Sequence, residues 1–534
     1  MWTSYWSRLA PETILVVVAV AVCMGGVFGA SRTLWRWIAL GGLAAAAVAF
    51  LGIPDVAASG AAASWPPTIR ADAMASFGRA LALAAGFLLV LAAWRPLDDE
   101  TIPEYLGCLL WIVVGLMLVA AAGDLVVLFA GLELVSIPTY IMLYVGRRCV
   151  ASQEATVKYF FLSILASAML LYGMSFLYGL AGSTDLTVLR DRLASDGVDL
   201  LRGRAETSPL LRIAIALVLA GLGFRIAAVP FHFYVADVFQ GTTPANAGLL
   251  SVAPKIAGFL GLWRVLIDTL PGDQRLAWTV MVLAVLTMTL GNFLALWQDR
   301  LLRLLAYSSI ANAGTMLVGV AVAMATRHAG ASPWGGMRGV LLYLMVYSMA
   351  TIGVFAAIAL LGRGGATIER VDDLAGLAWT GDRRKRCLAW AVAWFMFSLA
   401  GIPPLAGFWG KFAVFAGALG VDGAGESAPG LFVGLAVIGV INSAIAAAYY
   451  LRIVAVMFFA AESESEPTSL RTGARGNWAA VAICSALVLA VGLNPGWWLR
   501  AADRAGAGSP ARKAISAATP PSATAAIVSS SDAS

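Results

Sequence analysis

Long apolar runs recur along the whole chain, and they set the expected architecture. Each run holds about 20 mainly apolar residues, the length that a helix needs to cross a bilayer. Alternation of apolar and polar positions is absent, and the runs are too long for the strands of a membrane barrel. Because lipid offers the backbone no hydrogen-bond partners, the runs predict helices and an all-α, polytopic membrane protein.

The pattern predicts about fourteen membrane-spanning helices, mostly joined by short connections. We number them spans 1 to 14, at residues 12–30, 34–53, 74–95, 105–122, 125–145, 155–181, 212–234, 244–268, 277–297, 303–325, 339–362, 388–420, 430–460 and 479–499. The connections 183–211 and 363–387 are longer and charged. The tail from residue 505 is rich in Ala, Ser and Pro, which predicts disorder.

Two spans combine a charge with proline inside an apolar run. Span 7 contains GFRIAAVPFHF (223–233), in which Arg225 precedes a proline, and span 12 contains GIPPLAGFWGK (401–411), which ends on Lys411. Proline removes a backbone hydrogen bond and frees a carbonyl one turn back. Freed backbone at membrane depth is tolerated where it lines a wet cavity or is buried in protein. Each break therefore predicts either water beside the charge or a kink used for packing.

The spacing of these spans indicates an internal repeat. Spans 7 and 12 are five spans apart, and so are span 8, with Lys255, and span 13, with Arg452. Spans 4–8 and 9–13 are therefore predicted to be two five-helix copies, inverted because each has an odd number of spans. Broken helices at matching positions of inverted repeats point to a transport site near the membrane centre.

The chain accordingly divides into five predicted segments. They are a three-helix segment (1–104), the first repeat (105–268), the second repeat (277–460), a loop with the last helix (461–504) and a disordered tail (505–534). Arg147 and the RRKR sequence (383–386) fall on one side if the N-terminus is outside, which places both termini in the periplasm. The arginine-rich connection 183–211 opposes this orientation.

Composition narrows the class further. Hydrophobic residues make up 60% of the chain and charged residues 12%, which leaves no room for a large soluble domain. The net charge of +6 comes from cations in short loops, not from a basic domain, so we expect no nucleic-acid partner. The five cysteines are scattered and there are two histidines, which excludes a recognisable metal or redox motif.

Six ionisable residues lie within or near the predicted spans and are the candidate site residues: Glu133, Lys158, Arg225, His232, Lys255 and Lys411. A charge at a helix centre costs about 2.5–3.5 kcal/mol, so these groups require a polar interior. Structural ion pairs are one interpretation. Their distribution over several helices favours the other, lateral proton transfer.

Smaller polar groups leave alternatives open. Lys158 lies four residues after Glu154, a spacing that permits an ion pair on one helix. His232 is either a proton relay or a polar cap on the carbonyl freed in span 7. Ser308 and Ser309, with Tyr307, either hold water or bond to their own helix.

Five sequence motifs resemble one known family. LELVSIPTY, EATVKYF, VPFHFYVADVFQGTTP, RLLAYSSIANAG and GIPPLAGFWGK are similar to the antiporter-like membrane subunits of proton-translocating NADH:quinone oxidoreductase, respiratory complex I. The resemblance covers about residues 100–460. The number of spans, the LELxSIP form and the lysine in span 12 are most similar to the N-type members.

The resemblance implies a role for each matched position. Glu133 pairs with the basic residue of span 7, here Arg225, and Lys158 modulates that pair. Lys255 is the central proton carrier and Lys411 the terminal one. It also implies a place in the bacterial inner membrane beside other membrane subunits of the complex. Flavin, iron–sulfur clusters and the quinone site belong to partner subunits, so no cofactor is expected in this chain.

Two positions depart from the family pattern. Arg225 stands where the family has lysine, and arginine is a poor proton carrier because its pKa lies above about 12. Asn312 stands where the family has histidine, and an amide does not titrate. Two alternatives therefore remain: a subunit of a multi-subunit sodium/proton antiporter, and a structural subunit of the same complex that does not pump.

Overall fold

The computed structural model describes residues 8–28, 32–53, 68–94, 101–147, 149–195, 209–270, 274–326, 336–363, 366–421, 428–461, 469–470 and 475–507. These residues form a bundle of α-helices with three very short strands. The N-terminal segment contributes α1 (Ala10–Gly25), α2 (Arg32–Leu51) and α3 (Ala73–Ala92).

The next helices cover the first predicted repeat. They are α4 (Ile102–Ala121), α5 (Leu125–Gly146), α6 (Val150–Ala181), α7 (Leu186–Ser195), α8 (Pro209–Ile226), α9 (Val235–Gly241) and α10 (Pro244–Leu262). A π-helical turn, Trp263–Ile267, continues α10.

The remaining helices cover the second predicted repeat and the C-terminal segment. They are α11 (Gln274–Leu296), α12 (Leu301–Ala325), α13 (Gly336–Ala359), α14 (Arg383–Ala400), α15 (Ala406–Leu419), α16 (Ala428–Phe459), α17 (Arg475–Leu493) and α18 (Pro495–Ala507). The strands β1 (Leu361–Arg363), β2 (Ala366–Thr367) and β3 (Ser469–Leu470) pair antiparallel in the order β2-β1-β3.

The predicted membrane architecture is confirmed, with corrections at its edges. Thirteen helices of the described residues are long and apolar enough to cross a membrane. Predicted span 12 is divided into α14 and α15, because the prolines at 403 and 404 have no N–H to continue a helix. The end of span 14 is a separate helix, α18. It includes residues 505–507 of the predicted tail, the rest of which lies outside the described residues.

Two predicted connections contain secondary structure. Residues 183–211 include α7, and residues 363–387 include β2, the end of β1 and a 3₁₀ turn at Val371–Leu374. Apolar side chains of α7, such as Leu186, Leu189 and Leu193, are buried against the bundle. Charged residues of these connections thus belong to short helices and strands, whose apolar side chains pack on the ends of the membrane spans.

The centre of the bundle is made by α10, α12 and α13. These three helices are buried almost along their whole length, whereas α1, α2, α6 and α16 expose a broad apolar face. Residues on the inner three helices are therefore shielded from lipid by the outer ones. Polar side chains on the inner helices face other protein groups.

Two short backbone-paired layers close the ends of the bundle. The first bridge comprises residues 68–70, 121–125 and 184–186: Leu125 N donates to Thr184 O and Leu186 N to Gly123 O, both at 3.0 Å. In the second bridge, residues 299–301 and 369–371, Leu301 N donates to Glu369 O at 2.8 Å. Val371 N donates to Asp299 O at 3.0 Å.

The bridges repeat one pattern at two places in the chain. The first joins the start of α5 to the connection after α6, and the second joins the start of α12 to the connection after α13. Five membrane crossings separate the two, so they lie at opposite ends of the bundle. Inverted copies would place matching segments at opposite ends in this way, and the two copies themselves stay a prediction.

Candidate functional site

Arg225 lies in the last turn of α8 and is held by α5 and α6. Its Nη2 donates to Glu133 Oε1 at 2.8 Å and to Ser167 Oγ at 3.2 Å. Its Nη1 donates to the Leu132 carbonyl at 2.9 Å and to Ser136 Oγ. The predicted contact between Glu133 and Arg225 is thus present, within a network that the sequence did not show and in which Arg225 is buried and Glu133 partly exposed.

The guanidinium geometry explains why arginine suits this position. A planar fork donates in several fixed directions, whereas a lysine ammonium acts as a point charge. Both terminal nitrogens of Arg225 are engaged with acceptors on two helices. Arg225 therefore joins α5, α6 and α8 as a fixed cation.

Replacement of Glu133 by glutamine is expected to lower the yield of folded protein. Removing one partner of a buried pair leaves an uncompensated charge, at a cost of roughly 3–5 kcal/mol. A second change, Arg225→Gln, is expected to restore part of the loss. The measurement is a double-mutant cycle on thermal unfolding in detergent, and strictly additive losses would count against a coupled pair.

Lys158 lies near the start of α6, away from this network. Its Nζ contacts Glu154 at 2.7 Å, as the sequence spacing predicts, and Asp237 on α9 at 3.3 Å. Nine residues, about 14 Å along a helix, separate it from Ser167, which contacts Glu133. Any influence of Lys158 on the Glu133–Arg225 pair is therefore exerted at a distance and not by contact.

The break between α8 and α9 is closed by Tyr234 and by two backbone hydrogen bonds, from Ala227 N to the Phe224 carbonyl at 3.0 Å and from Ala228 N to the Gly223 carbonyl at 2.8 Å. The Tyr234 hydroxyl donates to the Phe224 carbonyl, in the last turn of α8, at 2.9 Å. Ala227 in the break has a positive φ of 61°. Among the described residues, nothing hydrogen-bonds to the buried Nδ1 of His232. Both interpretations of His232, a proton relay and a polar cap, stay predictions.

Lys255 lies at the centre of the bundle, in a cluster of hydroxyl groups. Its Nζ donates to Ser309 Oγ on α12. Tyr347 on α13 donates to the same oxygen at 2.8 Å, and its ring centre is 5.5 Å from Nζ. The hydroxyl groups of Ser251 and Thr351 also lie near Tyr347. Both are buried, and neither makes a hydrogen bond within the described chain. Within the described residues, Lys255 has no acidic partner.

A second polar cluster lies beside the first, around Asn312. Tyr343 donates to Asn312 Oδ1 at 2.6 Å, and Asn312 Nδ2 donates to the Tyr450 hydroxyl at 3.1 Å. Ser308 Oγ hydrogen-bonds to the same tyrosine. Tyr343 and Tyr347 are one turn apart on α13, and Ser308 and Ser309 are neighbours on α12. The two serines therefore bond across helices and not to their own helix.

Lys411 lies on α15 beside the break that precedes this helix. Its Nζ donates to the Ala400 carbonyl, at the end of α14, at 3.1 Å. Gly401, with φ of 90°, ends α14. A Cβ added at position 401 would lie 3.1 Å from the side chain of Lys411, so glycine is favoured at this position. The break thus supplies a carbonyl acceptor for the buried ammonium.

The residue before Lys411 in the sequence, Gly410, is where α15 contacts the Asn312 cluster. A Cβ built on Gly410 would lie 2.5 Å from the ring of Tyr343, so the two helices are in close contact there. Arg452, which the repeat pattern matched to Lys255, lies instead near the end of α16. It pairs with Asp299 at 2.6 Å, and its side chain is 37% exposed. Arg452 therefore takes no part in the central clusters.

A third buried network, at the end of α10, has no counterpart among the sequence predictions. Arg264 is fully buried and donates to both oxygens of Asp72, at 2.6 and 2.9 Å. It also donates to Asp268 at 3.1 Å and to the Ala120 carbonyl at 2.5 and 3.2 Å. This network ties the start of α3 and the end of α4 to the π-helical turn after α10.

Comparison with known proteins places this arrangement in a family. Residues 122–457 match the model of the NADH:quinone oxidoreductase/Mrp antiporter membrane domain. The chain is 38% identical to NADH-quinone oxidoreductase subunit N of Trichlorobacter lovleyi, over 84% of this chain and 87% of the relative. The chain belongs to the subunit N family.

Solved structures of membrane complexes contain chains with the same fold. A chain of respiratory complex I from Thermus thermophilus, with bound aureothin, matches with a TM-score of 0.72 and 30% identity, over 92% of this chain and 98% of that one. A chain of the Mrp complex from Dietzia matches with a TM-score of 0.78 and 21% identity, over 97% and 99%. The second likeness concerns the fold alone, so the antiporter alternative has less support.

Proposed function

We propose that this chain is a non-redox, proton-translocating subunit of an NADH:quinone oxidoreductase. The observation that supports this proposal most is the buried series of charged and hydroxyl groups on the inner helices, which includes Lys255 and Lys411. Both ammonium groups are bound by neutral oxygens, from Ser309 and from the Ala400 carbonyl. A cation at bilayer depth is costly, and one without an acidic partner among the described residues has no structural ion pair to explain it.

Hydroxyl groups give the series a way to move protons. Ser309 Oγ accepts a hydrogen bond from Lys255 and another from Tyr347. In the proposed transfer the Tyr347 hydroxyl first turns away, Ser309 Oγ takes the ammonium proton, and the serine's own proton passes to Tyr347 Oη, which releases its proton to water. The lysine is left as a neutral amine, and rotation of the hydroxyls restores the starting hydrogen bonds. Asn312 cannot titrate, and in this proposal it orients Tyr343 and Tyr450 and carries no proton.

The two halves then have different tasks. In the first, Arg225 is a fixed charge that pairs with Glu133 and acts on Lys255 through its electric field. In the second, Lys411 exchanges its proton beside the carbonyl of Ala400. Protons pass from Lys255 towards Lys411 through the hydroxyl clusters, between α13 and α15.

The same proposal covers partners and location. The side chain of Glu133 is 22% exposed, on a face of α5 that also exposes Val126, Ile137 and Tyr144. A carboxylate open to lipid is unfavourable, so another membrane subunit of the complex covers this face. Flavin and iron–sulfur clusters belong to partner subunits, and the complex lies in the bacterial inner membrane with both termini of this chain in the periplasm.

The variant Lys411→Arg tests the exchange of a proton at this position. Arginine keeps the charge but holds its proton at accessible pH, so the complex is expected to assemble and to lose most of its proton pumping. The measurement is NADH oxidation together with a pH-sensitive dye in inverted membrane vesicles. Lys385→Arg, at a half-buried position in the first turn of α14, is the matched control and is expected to pump normally. Pumping by Lys411→Arg at the parent rate would show that position 411 needs only a fixed charge.

A further inference from the structure

Two arginines at one end of the bundle are only partly satisfied by protein acceptors. Arg70 Nη1 donates to Asp268 Oδ2 at 3.2 Å, and the Arg70 side chain is 10% exposed. Arg190 Nε donates to Asp191 Oδ1 at 3.0 Å. Arg70 Nη2 and Arg190 Nη1 are both buried, and neither makes a hydrogen bond within the part of the chain that the structure describes. Each guanidinium group therefore has one nitrogen that can donate a further hydrogen bond.

The first bridge brings both arginines into one layer. Arg70 N donates to the Ala121 carbonyl at 2.7 Å, and Gly123 accepts from Leu186, where α7 begins. Arg190 lies one turn into α7. Burial lowers the pKa of Arg70, and the nearby cations Arg264 and Arg190 lower it further, against the opposing effect of Asp268 and Asp72. The first bridge and the start of α7 thus place both arginines at the same end of the bundle.

The carboxylates nearby are already engaged. Asp268 accepts from Arg70, Arg264 and the indole of Trp263. Asp72 accepts from both terminal nitrogens of Arg264 and from the backbone of its own helix.

The two aspartates of the first bridge are occupied as well. Asp124 accepts from Val126 N and Thr184 Oγ1, and Asp185 from the first backbone amides of α7. These carboxylates therefore serve backbone amides and hydroxyls, while the two guanidinium nitrogens have no acceptor among the described residues.

We propose that Arg70 and Arg190 together bind a phosphate group, supplied by the headgroup of a membrane phospholipid or by free phosphate. Guanidinium groups match the spacing of phosphate oxygens and bind them by charge-assisted hydrogen bonds. The first bridge lies where α3 and α5 begin and α4 and α6 end, which is the level of lipid headgroups. Basic pockets at this level bind lipid phosphates.

The acid beside Arg190 allows a test in both directions. Asp191 is 68% exposed and neutralises Arg190 in part. Asp191→Asn is therefore expected to strengthen phosphate binding several-fold, whereas Arg190→Gln removes a charge-assisted hydrogen bond and is expected to weaken binding about tenfold. Arg384→Gln, at the exposed start of α14, is the matched control and leaves binding unchanged. These changes avoid Arg70, whose loss would also disturb Asp268.

The measurement is binding to the full-length chain, purified in detergent and depleted of lipid. Fluorescent phosphatidylglycerol is titrated in one arm, and unlabelled phosphatidylglycerol, inorganic phosphate and diacylglycerol compete in the others. Competition by phosphatidylglycerol alone identifies a lipid phosphate, and equal competition by inorganic phosphate identifies a free phosphate site. Affinity that is the same in Arg190→Gln, Asp191→Asn and the parent would overturn the proposal.

Discussion

Lys255→Ala is expected to abolish proton translocation while leaving the complex assembled. Among the described residues, the ammonium group is the only part of the central cluster that carries a charge, and it is bound by Ser309 and lies beside Tyr347. Its removal leaves no carboxylate unpaired, because no carboxylate of the described residues pairs with Lys255. The remaining hydroxyls can hold water but cannot supply a transferable proton at neutral pH.

The measurement separates assembly from pumping. The assembled complex is quantified by native gel, and NADH oxidation and acidification are followed together in inverted vesicles. Ser348→Ala is a matched control, because this serine is next to Tyr347 on α13 but donates to its own helix, at the Leu344 carbonyl. An assembled Lys255→Ala complex that pumps at the parent rate would refute the carrier role.

Arg264→Leu is expected to prevent stable folding. The substitution removes the cation that pairs with both Asp72 and Asp268. Asp268 keeps its contact with Arg70, and the Ala120 carbonyl loses a hydrogen-bond donor. Breaking a buried pair costs roughly 3–5 kcal/mol, a large fraction of the stability of most proteins.

An exposed pair provides the comparison for Arg264. Arg452 contacts Asp299 at the same 2.6 Å that separates Arg264 from Asp72, but both members of this pair are well exposed. Exposed pairs contribute little, so Arg452→Leu is expected to leave the yield and the melting temperature close to those of the parent. If Arg264→Leu and Arg452→Leu lower the melting temperature in detergent equally, burial does not explain the importance of the Arg264 network.

The sequence predicts the positions of helices well because membrane spans have a strong local signature. Apolar runs near 20 residues locate the thirteen long apolar helices of the described chain, and the double proline at 403–404 locates the division of span 12. Ionisable residues inside such runs are rare, which is why Glu133, Arg225, Lys255 and Lys411 stand out from the sequence alone.

The partners of these residues could not be predicted in the same way. Asp72 and Arg264 are 192 positions apart, and each alone has the appearance of a charge at the end of a span. Tyr343 and Tyr347 are ordinary residues of an apolar helix until the fold turns their hydroxyl groups towards Asn312 and Ser309. Long-range pairing is set by helix packing, and no local pattern encodes it.

The residues that face each other across the two bridges differ in charge, although the second bridge also contains Asp299 and Glu369. At matching positions the first has Asp124 and Asp185 and the second has Arg300 and Arg370. During insertion, Lys and Arg hold a loop on the cytoplasmic side, whereas acidic residues have little influence. With the N-terminus outside, the arginines lie on the cytoplasmic face. We infer that Arg300 and Arg370 help to hold the second bridge on the cytoplasmic side, whereas the facing aspartates of the first bridge leave it free to cross, so that the two predicted copies insert in opposite orientations.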